Sequence, residues 1–118
     1  MSWLDSPQLH LLEKYLDISS MRQTLVSSNL ANIDTPGYHA RDVDFRGELA
    51  RAVSGQDSGL TSPLVMPVPG LVERPDGNNV SADREAMLLA EVQLQFKAAT
   101  VVLRAEFAQL STAIREGQ

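Results

Sequence analysis

Proline and glycine are concentrated in the middle of this chain, and that distribution limits its fold more than any other feature. Residues 8–35 contain neither, and residues 78–116 contain neither. Between them, Gly55, Gly59, Pro63, Pro67, Pro69, Gly70, Pro75 and Gly77 interrupt residues 54–79 every few positions. Two long uninterrupted stretches around a broken middle point to two long helices and little other regular structure.

The residues inside each stretch support that reading. Ser6 is a suitable N-cap, and Pro7 suits the first helical position, where its missing N–H costs nothing. Leu9, Leu12, Leu16, Ser19, Gln23, Val26, Leu30 and Ile33 recur at alternating steps of three and four, a heptad seam with two polar members. Leu11, Tyr15, Ile18, Arg22 and Leu25 form a second stripe beside it. The spacing predicts a helix over 6–33, ending before Pro36, because proline disfavours α geometry in the residue ahead of it. At the other end, Ser81 and Asp83 are both candidate caps. Leu89, Val92, Phe96, Ala99, Leu103, Phe107, Leu110 and Ile114 repeat at the same steps, with Met87, Leu94, Ala98, Val101, Ala105 and Ala108 as a second apolar stripe. This predicts a helix over 81–116, about 45–50 Å long.

The middle divides in two. Thr35-Pro36-Gly37-Tyr38 reads as a type II turn, with Pro36 presetting φ and Gly37 supplying the positive φ that follows. An extended stretch comes next, then a short amphipathic helix with Phe45, Leu49, Ala52 and Val53 on one side and Asp44 as its cap. These make a turn and short helix over 34–53. Residues 54–80 read as a flexible linker. Within it, residues 71–74 and Val80 flank a turn at 75–78 as a short β-hairpin.

The expected fold is therefore mainly α and, at 118 residues, a single domain. The two terminal helices form an antiparallel, coiled-coil-like hairpin. Leu9, Leu12, Leu16 and Val26 would pack with Leu89, Val92, Phe96, Leu103, Phe107 and Leu110. Aromatic residues are only 5%, so a core must come from Leu, Val, Ile, Met and Ala, which favours packed helices over a β-sandwich. Each helix, however, is apolar on more than one stripe, and one pairing buries only one. With no third long helix in the chain, other subunits are the expected partners. The plainer alternative is that the second stripes, rich in alanine, simply face water.

Signs of catalysis are missing. His10 and His39 have no partner at metal-ligand spacing. Asp34, Asp42 and Asp44 lie near a helix start, where solvation or capping is their expected role. Neither a Gly-x-Ser-x-Gly elbow nor a phosphate-binding loop is present. No cysteine is available for thiolate chemistry or disulfides. No enzyme activity, metal or cofactor is expected. The net charge is −5 and the ten basic residues are scattered, which argues against nucleic acid and anionic membrane surfaces. No unbroken apolar run approaches the roughly 20 residues of a membrane span, so no membrane insertion is expected. The N-terminal residues lack a basic region and a long apolar run, so no cleaved signal is expected. Asn29 and Asn32, three apart at the end of the first helix, allow two readings. Either their amides fix a register between packed elements, or they terminate the helix.

Ser28-Asn29-Leu30-Ala31-Asn32-Ile33-Asp34-Thr35-Pro36-Gly37-Tyr38 resembles the signature shared by the axial proteins of the bacterial flagellum, its rod, hook and hook-associated subunits. Ala40-Arg41-Asp42-Val43-Asp44-Phe45, and Asp76-Gly77-Asn78-Asn79-Val80 followed by Asp83-Arg84-Glu85, are similar to segments of the proximal-rod subunits. The resemblance implies a structural subunit of the basal-body rod, made in the cytoplasm and exported unfolded through the flagellar type III apparatus without signal cleavage. It would assemble in the periplasm into the drive-shaft tube, with both terminal helices packed against neighbours. Partners would be other rod subunits and further copies of itself, the adaptor protein beneath the rod, and the export gate. The assembly motif would be Ser28, Asn29, Leu30, Ala31, Asn32, Thr35, Pro36, Gly37 and Tyr38. Phe45 and Leu49 match a short Phe-x-x-x-apolar pattern read at the export gate, or are simply the apolar side of a small helix. The alternatives are the companion proximal-rod protein of similar size and a helical-hairpin adaptor that never polymerises.

Overall fold

The computed structural model describes residues 6–55 and 62–117. Helix α1 spans Pro7–Ala31, strand β1 Arg41–Val43, helix α2 Phe45–Val53, strand β2 Val65–Pro67 and helix α3 Ala82–Glu116. The molecule is elongated, 68 × 27 × 17 Å, because α3 runs about 50 Å at 1.5 Å per residue. Three caps set the helix starts. The Ser6 hydroxyl accepts from Leu9 N–H, Asp44 from Gly47 N–H, and Ser81 from Arg84 N–H. Of the two candidate caps for α3, Ser81 is the one used, and Asp83 lies in the first turn. A Cβ at Gly47 would lie 2.2 Å from the Asp44 carboxylate, so a larger residue there would push the cap aside.

α1 packs on both of its stripes. The seam turns toward α3 and buries Val26 against a face that buries Leu88, Val92 and Ala99. Leu9, Leu12, Leu16, Leu89, Phe96, Leu103 and Leu110 are half-buried, and Phe107 is 48% exposed. Of the two polar seam members, Ser19 is fully buried and donates to Gln95 across the interface, while Gln23 is exposed. Leu88 is buried more deeply than its neighbour Leu89. A straight helix drifts against a seven-residue repeat, so the contact line moves between adjacent positions.

The second stripe of α1 finds its partner inside the chain. Ile18, Leu25 and Val43 form a core cluster, with Met21, Phe45, Leu49 and Val65 packed against it. The edge of the Tyr15 ring meets Phe45 at 5.3 Å between centroids, and the Arg22 guanidinium lies over the same ring. The short middle elements thus do the work of a third helix for α1. Among the described residues no element does so for α3, whose second stripe is exposed, with Met87 63%, Leu94 68% and Val101 65% exposed.

One sequence expectation needs correction. The antiparallel strand pair exists, but it joins β1 to β2, with Arg41 opposite Pro67 and Val43 opposite Val65. Residues 71–74 and Val80 form no strands. Their turn closes with Arg74 N–H on the Asn78 carbonyl and Gly77 N–H on the Arg74 carbonyl, and it is spent on other contacts. By length and composition alone α3 is also long and apolar enough to cross a membrane, with mean hydropathy 1.4 over its most apolar stretch. Glu91 and Lys97 interrupt that stretch, so it contains no unbroken apolar run.

Candidate functional site

The chain turns sharply after α1, and the most tightly bonded part of the molecule surrounds that elbow. Thr35 to Tyr38 form the type II turn, with Tyr38 N–H on the Thr35 carbonyl at 3.2 Å and Gly37 at φ 75°. The two asparagines before it have different jobs. Asn32 is the C-cap of α1. Its amide donates to the Ser28 carbonyl and accepts from the Thr35 hydroxyl, both local bonds.

Asn29 is 1% exposed and uses its full hydrogen-bonding capacity over long range. Its Nδ2 donates to the Arg41 carbonyl at 2.9 Å and to Glu85 Oε1 at 3.1 Å. Its Oδ1 accepts from Arg41 N–H at 3.1 Å and from the Tyr38 hydroxyl at 3.0 Å. Ser28 lies 3.2 Å from that same hydroxyl. One amide therefore joins α1, the turn, β1 and the start of α3. Of the expected assembly motif, Ser28, Asn29 and Tyr38 turn inward and Leu30 is half-buried, while Ala31, Thr35, Pro36 and Gly37 are exposed.

A chain of charges continues from Asn29. Glu85 is fully buried in the first turn of α3, where the helix N-terminus favours a carboxylate. Its Oε1 also accepts from Arg84, while Oε2 has no partner among the described residues. Arg84 reaches Asp42 at 2.8 Å, and Asp42 receives Arg22 through two bonds at 3.0 and 3.1 Å. Glu91 completes the row, 3.9 Å from Arg22. Asp42 is thus an ion-pair centre and not the solvated carboxylate its setting suggested, whereas Asp44 is the expected cap. Glu91 has a second effect: burial first, then its negative charge, push the Tyr15 hydroxyl above pKa 10.0.

Residues 74–80 clasp the elbow from the other side. Asn78, fully buried, donates to the Asn32 and Thr35 carbonyls at 2.8 and 2.9 Å and accepts from Val80 N–H. Gly37 N–H donates to the Asp76 carbonyl, Asn79 N–H to the Tyr38 carbonyl, and Ala40 N–H to Asn79 Oδ1. Arg74 bonds the Ile33 carbonyl and Val80 carbonyl. Gly77 comes so close that a Cβ there would lie 3.2 Å from the Gly37 Cα. Sequence reasoning singled out none of Asn78, Asn79, Glu85 or Arg84 as site residues. An internal Asn-Asn and an Arg-Glu pair in the first turn of a helix carry no signal of partners 39 to 56 positions away.

Among the described residues no group of His, Cys, Asp or Glu can hold a metal ion. His10 and His39 each lie 4.0 Å from an exposed glutamate, at the surface. Phe45 and Leu49 face the core cluster. The site is a structural junction, all of it spent on fixing chain directions, and among the described residues the second apolar stripe of α3 lies exposed.

Comparison with known proteins says which family shares this elbow and its paired terminal helices. The family described as "Flagella basal body rod protein" matches residues 20–39, the end of α1 and the elbow. A protein of Cereibacter sphaeroides called flagellar basal body rod protein FlgB is 32% identical, covering 92% of this chain and 94% of its own length. Proteins of the same description from Yersinia enterocolitica and Escherichia coli K12 are 31% and 29% identical over the same shares. The chain belongs to the flagellar basal body rod protein family, whose members are structural and not enzymatic.

Proposed function

We propose that this chain is a proximal-rod subunit, exported unfolded through the flagellar type III apparatus without signal cleavage and assembled in the periplasm into the drive-shaft tube. Its partners would be further copies and other rod subunits, the adaptor beneath the rod and the export gate. The observation that carries this reading is the solvent-facing stripe of α3, Met87, Leu94 and Val101 at seven-residue spacing, in a helix of which only 17% of the most apolar stretch is buried. Such a surface is costly to leave in water and marks an interaction site. The full-length similarity to proteins described as FlgB favours the proximal rod over the companion subunit and over a non-polymerising adaptor.

Phe45 and Leu49 pack against the core cluster in the folded chain. An export receptor would reach them only before folding, so the export and packing roles belong to different stages. The elbow residues Ser28, Asn29, Asn32, Thr35, Pro36, Gly37 and Tyr38 would then fix the subunit's place in the tube by fixing the angle between α1 and the rest.

The chain has no cysteine, so single cysteines at Leu94 or Val101 report unambiguously. In basal bodies carrying either variant, a short bifunctional cross-linker should yield products with neighbouring rod subunits, and a maleimide should label poorly. Full labelling in intact basal bodies would refute the assignment of this face.

A further inference from the structure

The two-stranded sheet has two outer edges, and each is blunted by a different device. Val68 N–H donates to the Ala40 carbonyl at 3.0 Å. The Cα partners run from Arg41 with Pro67 to Val43 with Val65. In an antiparallel ladder, hydrogen-bonded pairs alternate with pairs whose N–H and C=O point outward. Asp42 and Met66 are therefore the next bonded pair, and Arg41, Val43, Val65 and Pro67 direct their backbone groups away from the sheet. On the β1 edge the Asn29 amide takes both polar groups of Arg41, as a neighbouring strand would, and Val43 N–H is held by Asp42 Oδ1 at 2.8 Å. On the β2 edge, residue 67 is proline and has no N–H to give. Within β2 only Val65 keeps an outward N–H.

We infer that Asn29 and Pro67 are specificity residues for assembly. They blunt the sheet at both edges, so that subunits associate through helix faces and not by strand addition. The inference rests on the reading of the chain as a rod subunit that meets other copies at close quarters. Such a subunit must present an apolar helix face until neighbours arrive, and crowded subunits meet in wrong orientations as well as right ones. A wrong contact between free strand edges would be the most damaging, because strand pairing tolerates register shifts and propagates. The danger is local: Leu64-Val65-Met66 and Val68 are apolar and β-prone, and Leu64 and Met66 are exposed. Uncharged segments of this kind template cross-β stacking unless proline interrupts them. Pro67 interrupts the run at an outward-facing position, where it blocks a new neighbour without costing the existing pair a bond.

The test compares Pro67→Val with Pro63→Val in the purified full-length chain. Both add the same side chain and remove a proline, but only residue 67 lies within β2. Circular dichroism and thermal melting report the fold, and thioflavin fluorescence on shaking reports β-rich aggregation. Pro67→Val should keep the helical spectrum and melting temperature while shortening the aggregation lag several-fold, and Pro63→Val should behave as the parent chain. An unchanged lag in Pro67→Val would overturn the inference. So would equal acceleration by Pro63→Val, which would make composition the cause, or loss of the helical spectrum in Pro67→Val, which would give the proline a role in the fold itself. Aggregation of the purified chain does not involve the rod, so this result and the cross-linking result can fail separately.

Discussion

Asn29 and Asn32 carry the same side chain three positions apart, and their surroundings make them very different. Removing the Asn29 amide strands the Arg41 N–H and carbonyl, the Tyr38 hydroxyl and a buried Glu85 oxygen. Each buried group left unpaired costs about 1–3 kcal/mol. Asn29→Ala should therefore lower stability by about 3 kcal/mol or more, read by urea unfolding. Asn32→Ala removes a local cap bond and should cost about 1 kcal/mol. Equal losses would mean that Asn29 is only a second helix terminator. Gly77 offers a similar contrast with Gly37. Both have positive φ, worth about 1–2 kcal/mol against a residue with a Cβ. Only at Gly77 does that Cβ also meet backbone, so Gly77→Ala should destabilise more than Gly37→Ala in the same titration. Tyr15 supplies a pH dependence. Its raised pKa means the folded state resists its ionisation. The stability it contributes is present below the ordinary tyrosine range and is lost as pH rises through it. Tyr15→Phe should therefore flatten the fall in stability above about pH 10.

At the level of elements, α3 separates two kinds of apolar residue that look alike in sequence. Leu88 is buried against α1 while Leu94 and Val101 face solvent. Leu88→Ala should cost about 2–5 kcal/mol. Leu94→Glu with Val101→Glu should leave the isolated chain within about 0.5 kcal/mol of the parent, as exposed substitutions do. The same double variant should abolish motility and yield few basal bodies. Normal rods from it would show that the stripe is not an assembly face. The elements themselves were legible because their signals are local: a cap, a spacing of three and four, a proline or a Pro-Gly turn. The short helix after Asp44 was readable for the same reason. What was not legible is what the irregular middle does. The partner of β1 is β2, 22 positions away at Val43 with Val65 and 26 at Arg41 with Pro67, and the clasp at Asn78 is recognisable only once the elbow carbonyls it needs are in place. Sequence reasoning saw apolar stripes on both helices and assigned both to other subunits. A nine-residue helix and a three-residue strand cover one of them, because Val43, Phe45 and Leu49 reach α1 together.

For the molecule as a whole, the packing is lopsided along its 68 Å length. The core, the charge row and the clasp all lie at the elbow end, where Ile18, Val26, Asn29, Asn78, Glu85 and Val92 are fully or nearly fully enclosed. Beyond Ala99, Leu103 and Leu110 are half-buried, Val102 and Phe107 are about half exposed, and Val101 and Ile114 are more exposed still. Backbone hydrogen bonds persist only as long as something excludes water and opposes fraying, so local stability should fall along α3 away from the elbow. Amide hydrogen exchange on the isolated chain should show this directly. The slowest amides are expected in α1 from Ile18 to Asn29 and in α3 from Glu85 to Val92. Clasp amides at Gly77 and Asn79 should also be protected, since both are bonded to the elbow or within the turn. Amides of α3 beyond Leu103 should exchange at least 100-fold faster than those near Val92, which corresponds to about 2.7 kcal/mol of local stability. In purified basal bodies that difference should largely vanish, because neighbouring helices would cover the distal half. A flat profile in the isolated chain would mean that α3 holds itself together without neighbours. A gradient that survives in basal bodies would mean that the distal half of α3 is not where the rod packs.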